Sequence, residues 1–224
     1  AHVRGTANGL RRYHCQGCGR TFNAITGTPL ARLRKREQWL AFSASLAARE
    51  TLSESQARCG VARTTAFRWR QRFLDGLAKI AQAMKVEGLI EADDLEMRIS
   101  HKGSRRLRFR KSRKRGGAGQ PGSERTLNIL FLAGRDGTTL ARPMTAATAD
   151  KIRGMLEQVV AHGSVHITDA AKAMLKAGRW LKAQHEVINV SRGGRTRGPY
   201  HLQTVNNRHM RFRAFLTPFM GVGS

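Results

Sequence analysis

The sequence predicts an α/β protein, a mixed sheet with flanking helices that follows a helical region and a small cysteine-bearing segment. From Val86 onward, short apolar runs alternate with stretches of helical periodicity, the pattern of strands exchanging with helices. Residues 34–76 keep helical spacing throughout, and Cys15 and Cys18 form a Cys-x-x-Cys turn before them. Three parts are expected: 1–30, 31–85 and 86–224. A chain of 224 residues has room for one substantial core and a smaller one.

In Tyr13-His14-Cys15-Gln16-Gly17-Cys18-Gly19-Arg20-Thr21-Phe22 the glycines let backbone amides face the two sulfurs, as in a zinc knuckle. A structural zinc takes four ligands, so Cys15 and Cys18 supply half of a zinc ribbon, and their partners are expected at or before residue 1. The alternatives are a metal-free turn or a site completed by His2 or His14. Three cysteines, two of them so spaced, point to a reducing compartment rather than to disulfides. The chain opens on Ala1 and stops at Ser224 without a closing element, so both ends are expected to be cut.

Between 34 and 76, Trp39, Leu40, Phe42, Leu46 and Ala47 share one helical face. Ser53-Glu54-Ser55-Gln56 fits a capping box for a short helix through Cys59, which turns at Gly60. A second helix is expected from Arg63 to Leu74, ending at Asp75-Gly76. Its apolar side is Ala62, Ala66, Trp69 and Phe73, leaving Arg63, Thr64, Arg68 and Arg72 to solvent. Two short helices about a glycine turn, with arginines on the second, make a helix-turn-helix for DNA. Solvated arginines alone give the same spacing. Cys59 reads as a small buried hydrophobe.

In 86–224, Leu89–Asp93 reads as a strand. Thr126–Ala133 and Thr138–Met144 flank Arg135-Asp136-Gly137, whose Asp-Gly pair signals a hairpin. Ala149–Ala161 is helical, Val165–Thr168 a strand running into Asp169, Ala170–Leu181 helical, Val187–Val190 a strand, and Gln203 onward helical. This succession matches the ribonuclease H-like fold, a mixed sheet flanked by helices. His101–Ser123 reads as an insertion, in which Arg106, Arg110, Arg113, Lys114 and Arg115 belong to a dense basic block.

Lys and Arg number 41 against 15 Asp and Glu, a net charge of +26, which favours polyanionic partners through counterion release. A basic ribosomal-type protein without chemistry would share that balance. No apolar run reaches the length of a membrane span, and Arg4, Arg11 and Arg12 interrupt any leader-like segment. A cytoplasmic, nucleoid-associated location is expected.

Against this charge stand Asp93 and Asp169 at predicted strand ends and Asn206 where a helix begins. Phosphodiester attack assisted by two metal ions needs hard oxygen ligands of this kind, and magnesium takes a few from protein and the rest from water and phosphate. Arg213 follows Asn206 by two helical turns and shares its face with His209, where a cation can clamp phosphate. Asp94, Glu91 and Glu96 rival Asp93, and strand alternation would put Glu91 and Asp93 on one face. Single aspartates at strand ends also cap helices, as Asp169 could.

The chain resembles insertion-sequence transposases that carry a zinc ribbon, a helix-turn-helix and an aspartate-aspartate-glutamate domain, within the ISXO-like group where Asn replaces the third acid. The resemblance rests on Tyr13–Asn23, Thr26–Leu30, Glu91-Ala92-Asp93, Arg113–Gly117, Thr168-Asp169-Ala170 and Tyr200–Asn206. It implies a ribonuclease H-like fold, catalysis by Asp93, Asp169 and Asn206 with Arg213 in place of Lys, and Mg²⁺ or Mn²⁺ as cofactor beside structural Zn²⁺. It also implies inverted-repeat and target DNA as partners and a homodimer or larger assembly on DNA. The rival readings are a non-catalytic DNA-binding protein (a regulator or decayed transposase), an RNA-associated zinc protein, and a nuclease without joining activity.

Overall fold

A computed structural model describes residues 1–98, 126–181 and 183–219, and the basic insertion lies outside them. The chain divides into two compact units, Ala1–Ala83 and Met84–Ser224. The expected segment 1–30 and all but the last two residues of 31–85 thus fall in one unit.

The first unit opens with three antiparallel strands, β1 (His2–Ala7), β2 (Leu10–His14) and β3 (Thr21–Phe22). Asn8 and Gly9 both take positive φ and join Ala7 to Leu10, the two-residue hairpin turn that an Asn-Gly pair favours. Three helices follow: α1 (Trp39–Ala47), α2 (Leu52–Cys59) and α3 (Arg63–Ala83). Phe42, Cys59, Val61, Ala66 and Trp69 are their buried core, with the Phe42 and Trp69 rings meeting edge-on at 5.4 Å. Gly60, at φ 59°, closes α2 in the left-handed conformation.

Three expectations need correction here. The capping box is Thr51 with Glu54, not Ser53 with Gln56: Glu54 Oε2 accepts from Thr51 N–H at 2.7 Å, and Thr51 Oγ1 accepts from Glu54 N–H. Helix α3 does not stop at Asp75-Gly76, because Leu77, Ala78, Lys79, Ile80, Ala81, Gln82 and Ala83 favour helix enough to offset one glycine, which costs about 1 kcal/mol. Ala62 is exposed, whereas Arg70 is buried and its Nη2 donates to the Glu50 carbonyl at 2.6 Å.

In the second unit the element order is β4 (Leu89–Arg98), β5 (Thr126–Gly134), β6 (Thr139–Met144), α4 (Ala149–Val159), β7 (Val165–Asp169), α5 (Lys172–Trp180), β8 (Gln184–Ile188), the short β9 (Thr196–Arg197) and β10 (Tyr200–His201), then α6 (Gln203–Leu216). The α/β expectation holds: β4 to β8 form a five-stranded mixed sheet in the order β6-β5-β4-β7-β8. The pairs β6–β5 and β5–β4 are antiparallel, and β4–β7 and β7–β8 are parallel. At the β5–β6 turn, Asp136 Oδ1 accepts from Thr138 N–H at 2.9 Å and Gly137 takes φ 94°.

Side-chain alternation divides this core. Leu95, Ile129, Phe131, Ala133, Ile167 and Ile188 face α6, where Leu202 and Val205 join them. On the opposite face β8 meets α5 so closely that a Cβ at Gly178 would lie 2.1 Å from His185 Nδ1. There the His166 and His185 rings, paired in register, stack at 4.2 Å. Burial and then the His185 charge push His166 down to about 4, so it packs as a neutral ring.

Candidate functional site

Asp93 lies mid-strand rather than at a strand end, because β4 stays paired with β5 as far as Arg98. What ends at this level is β7, whose last parallel partner is Thr168 opposite Ala92. The next residues are Asp93 and Asp169, side by side on the face that α6 covers. Burial, and then the charge of Asp169, raise Asp93 to about 7. Asp94 is also raised, by burial and then by Asp169, and its N–H donates to Asp93 Oδ1 at 2.9 Å. Asp169 ends β7 as expected, but it does not cap α5: its Oδ1 accepts from Ala171 N–H at 3.1 Å, and the helix begins at Lys172.

Helix α6 brings its own groups to this carboxylate pair. His209 Nδ1 lies 3.8 Å from Asp93 Oδ2, and the imidazole edge rests on Phe131. Burial and then Arg213 lower the His209 pKa, so the ring stays neutral and contributes shape more than charge. Asn206 and Arg213 are exposed on the same helix. The structure thus sets His209 beside the Asp93–Asp169 pair, with Asn206 on the first turn of α6 and Arg213 one helical turn beyond His209. Among the described residues, no hydrogen bond joins Asn206 to either aspartate, and no three His, Cys, Asp or Glu side chains are grouped to hold an ion.

Glu91 is the group whose role the sequence left unread. It is fully buried two residues before Asp93. Its Oε2 accepts from Val205 N–H at 2.9 Å, while Arg135 Nε and His201 Nδ1 approach Oε1 at 3.0 and 3.2 Å. Neither Oε1 contact is aligned as a hydrogen bond, so charge rather than direction holds that oxygen. His201 Nδ1 is equally 3.2 Å from Gln203 N–H, and it can serve only one of the two. The aligned bond is the one from Gln203 N–H, which Nδ1 accepts as an unprotonated nitrogen, so a neutral ring making it carries its proton on Nε2.

In the first unit, Arg63, Thr64, Arg68 and Arg72 are exposed along α3 as expected. Of the basic block, Arg106, Arg110, Arg113, Lys114 and Arg115 lie outside the described residues. Cys15 and Cys18 occupy the turn between β2 and β3, where Gly19 at φ 68° donates to the Cys15 carbonyl. Hydrogen bonds from Cys18, backbone first, lower the Cys15 pKa and favour its thiolate. Cys59 is buried, and burial raises its thiol, which suits a core residue.

No family model matches the chain. It is 29% identical over 220 residues to an uncharacterized protein in the transposable element ISH50 of Halobacterium salinarum, covering 95% of this chain and 73% of that protein. The chain is therefore similar, at a distance, to a protein carried by an insertion sequence. Among the described residues, no helix is long and apolar enough to cross a membrane.

Proposed function

We propose that the chain is the DNA transposase of an insertion sequence, which cuts DNA at terminal inverted repeats and joins the freed ends to a target. One observation carries the reading: two carboxylates on neighbouring strands, one step beyond the Ala92–Thr168 register pair, one of them raised to about 7, inside a chain of net charge +26. Half-buried like charges on neighbouring strands are costly unless a proton or a cation neutralises them. Similarity to a transposable-element protein supports the same reading, as does a sheet whose second strand alone reverses the run of the first toward the parallel pair. That strand order is compatible with a ribonuclease H-like domain.

Asp93 and Asp169 would hold Mg²⁺ or Mn²⁺, with the Asn206 carbonyl as a weaker neutral donor, and their hard oxygens suit either ion. When bound, the metal supplies Lewis-acid stabilisation of charge developing on phosphodiester oxygens. Hydrolysis leaves a 3′-hydroxyl; that hydroxyl then attacks a target phosphodiester and expels the 3′-oxygen there. Arg213 would hold the phosphate on the α6 side, and His209 would wall the site beside Asp93. Arg63, Thr64, Arg68 and Arg72 would meet DNA from α3, and the basic block would add contacts independent of sequence. Cys15 and Cys18 would give half of a zinc site. Handling two transposon ends calls for a dimer or larger assembly.

Joining of labelled 3′-hydroxyl ends to a plasmid with Mg²⁺ tests the reading. The wild-type chain is expected to join them, and Asp93→Ala to lose joining while keeping DNA binding. Joining that persists in Asp93→Ala would refute the assignment.

A further inference from the structure

We infer that Glu91 is the positioning residue that sets α6, and with it Asn206, against the Asp93 strand; this rests on the metal-site reading above. Helix α6 has no side-chain cap of its own, since Leu202 stands at its N-cap. The first-turn N–H of Val205 goes instead to the Glu91 carboxylate, 114 residues away in sequence. A carboxylate there is matched to the positive end of the helix. A mere cap could come from any nearby Ser or Asp, whereas this one comes from the strand that carries Asp93.

Three further facts give the contact its meaning. Glu91 and Asp93 share a face of β4, and Val205 directly precedes Asn206, so the bond lies one short step from both proposed ligands. Arg135, from the β5–β6 turn, approaches Glu91 Oε1 and also donates from Nη2 to the Pro199 carbonyl at 2.9 Å. His201 approaches the same oxygen from β10. One buried carboxylate thereby fastens the hairpin turn, the strap from Pro199 to His201, and the start of α6 to a single strand. Full burial makes the arrangement unforgiving: removing Glu91 leaves Arg135 and the Val205 N–H without their partner. Asn206 is neutral and exposed, so its contribution depends on where the backbone puts it more than on attraction to the metal.

The test is a double-mutant cycle on the full chain, read by electron paramagnetic resonance of added Mn²⁺. Asp93→Ala is expected to abolish Mn²⁺ binding. Glu91→Ala should weaken it by about 10- to 100-fold, the usual range for groups that orient a ligand. In an Asn206→Ala background, Glu91→Ala should cost little more, because both changes remove the same placed oxygen. Glu91→Gln, which keeps an acceptor for Val205 N–H, should recover most of the affinity. If Glu91→Ala does not fold, the cycle is run with Glu91→Gln, whose smaller loss should again vanish in the Asn206→Ala background. Losses that add fully, or wild-type Mn²⁺ affinity in Glu91→Ala, overturn the positioning role alone. Mn²⁺ binding unchanged by Asp93→Ala overturns the metal site itself, and the positioning role with it.

Discussion

Asp93 and Asp169 stand on the same face of neighbouring parallel strands, one step beyond the Ala92–Thr168 register pair. Burial, and then the charge of Asp169, raise Asp93 from an ordinary 3.8 to about 7. The folded protein therefore keeps a proton on Asp93 that the unfolded chain releases between those values. Stability from the neutral form is whole below about pH 3.8 and is lost as pH rises through about 7. In chelator, Asp93→Asn is expected to stabilise the protein above pH 7 by on the order of 1–3 kcal/mol relative to wild type, with the difference vanishing near pH 4. Urea unfolding across that range checks it. A difference independent of pH would contradict the shift.

Gly178→Ala is expected to destabilise the second unit by about 1–3 kcal/mol or more, as overpacking does. The added methyl would occupy the His185 ring, which stacks on His166 and is held by Thr168 Oγ1 at 2.8 Å from Nε2. Wild-type denaturant unfolding in Gly178→Ala would show that α5 can move away from β8.

Thr51→Ala removes the reciprocal bonds with Glu54 at the start of α2 and is expected to cost about 1 kcal/mol. Ser53→Ala should cost less, because the box sits on Thr51. Thermal unfolding of the two variants orders them, and the reverse order would restore the register expected from sequence.

Arg68→Ala is expected to reduce the slope of log affinity against log salt by about 1 if it meets a phosphate. If it reads a base, it should narrow the preference for inverted-repeat over random duplex by about 1–3 kcal/mol. Unchanged affinity, slope and preference would remove α3 from the proposed DNA interface.

Elements with a buried periodic face were legible in the sequence. The alternation from Val86 onward predicted the succession of strands and helices in the second unit, and helical spacing placed α1 to α3. Ends were harder: β4 runs past Asp93 because β5 pairs with it, and α3 passes Gly76 because good helix formers follow. The β1–β2 hairpin escaped notice since its strands are largely exposed and lack apolar alternation, although Asn8-Gly9 was its signal. Asp93 and Asp169 were identifiable as carboxylates at predicted strand ends, and their register now explains their proximity. The work of Glu91 was not readable, because Arg135, His201 and Val205 reach it only through the folded chain. The burial of Arg70 was hidden likewise, since its acceptor is a backbone carbonyl twenty residues earlier.

Crystals soaked in Mn²⁺ and measured at a wavelength where manganese scatters anomalously offer the sharpest test. A peak within about 2.0–2.4 Å of carboxylate oxygens from both Asp93 and Asp169 is expected, and Asp169→Ala should erase it. Manganese bound elsewhere while these two carboxylates remain without it would contradict a shared metal site, and with it the reading of this chain as a metal-dependent transposase.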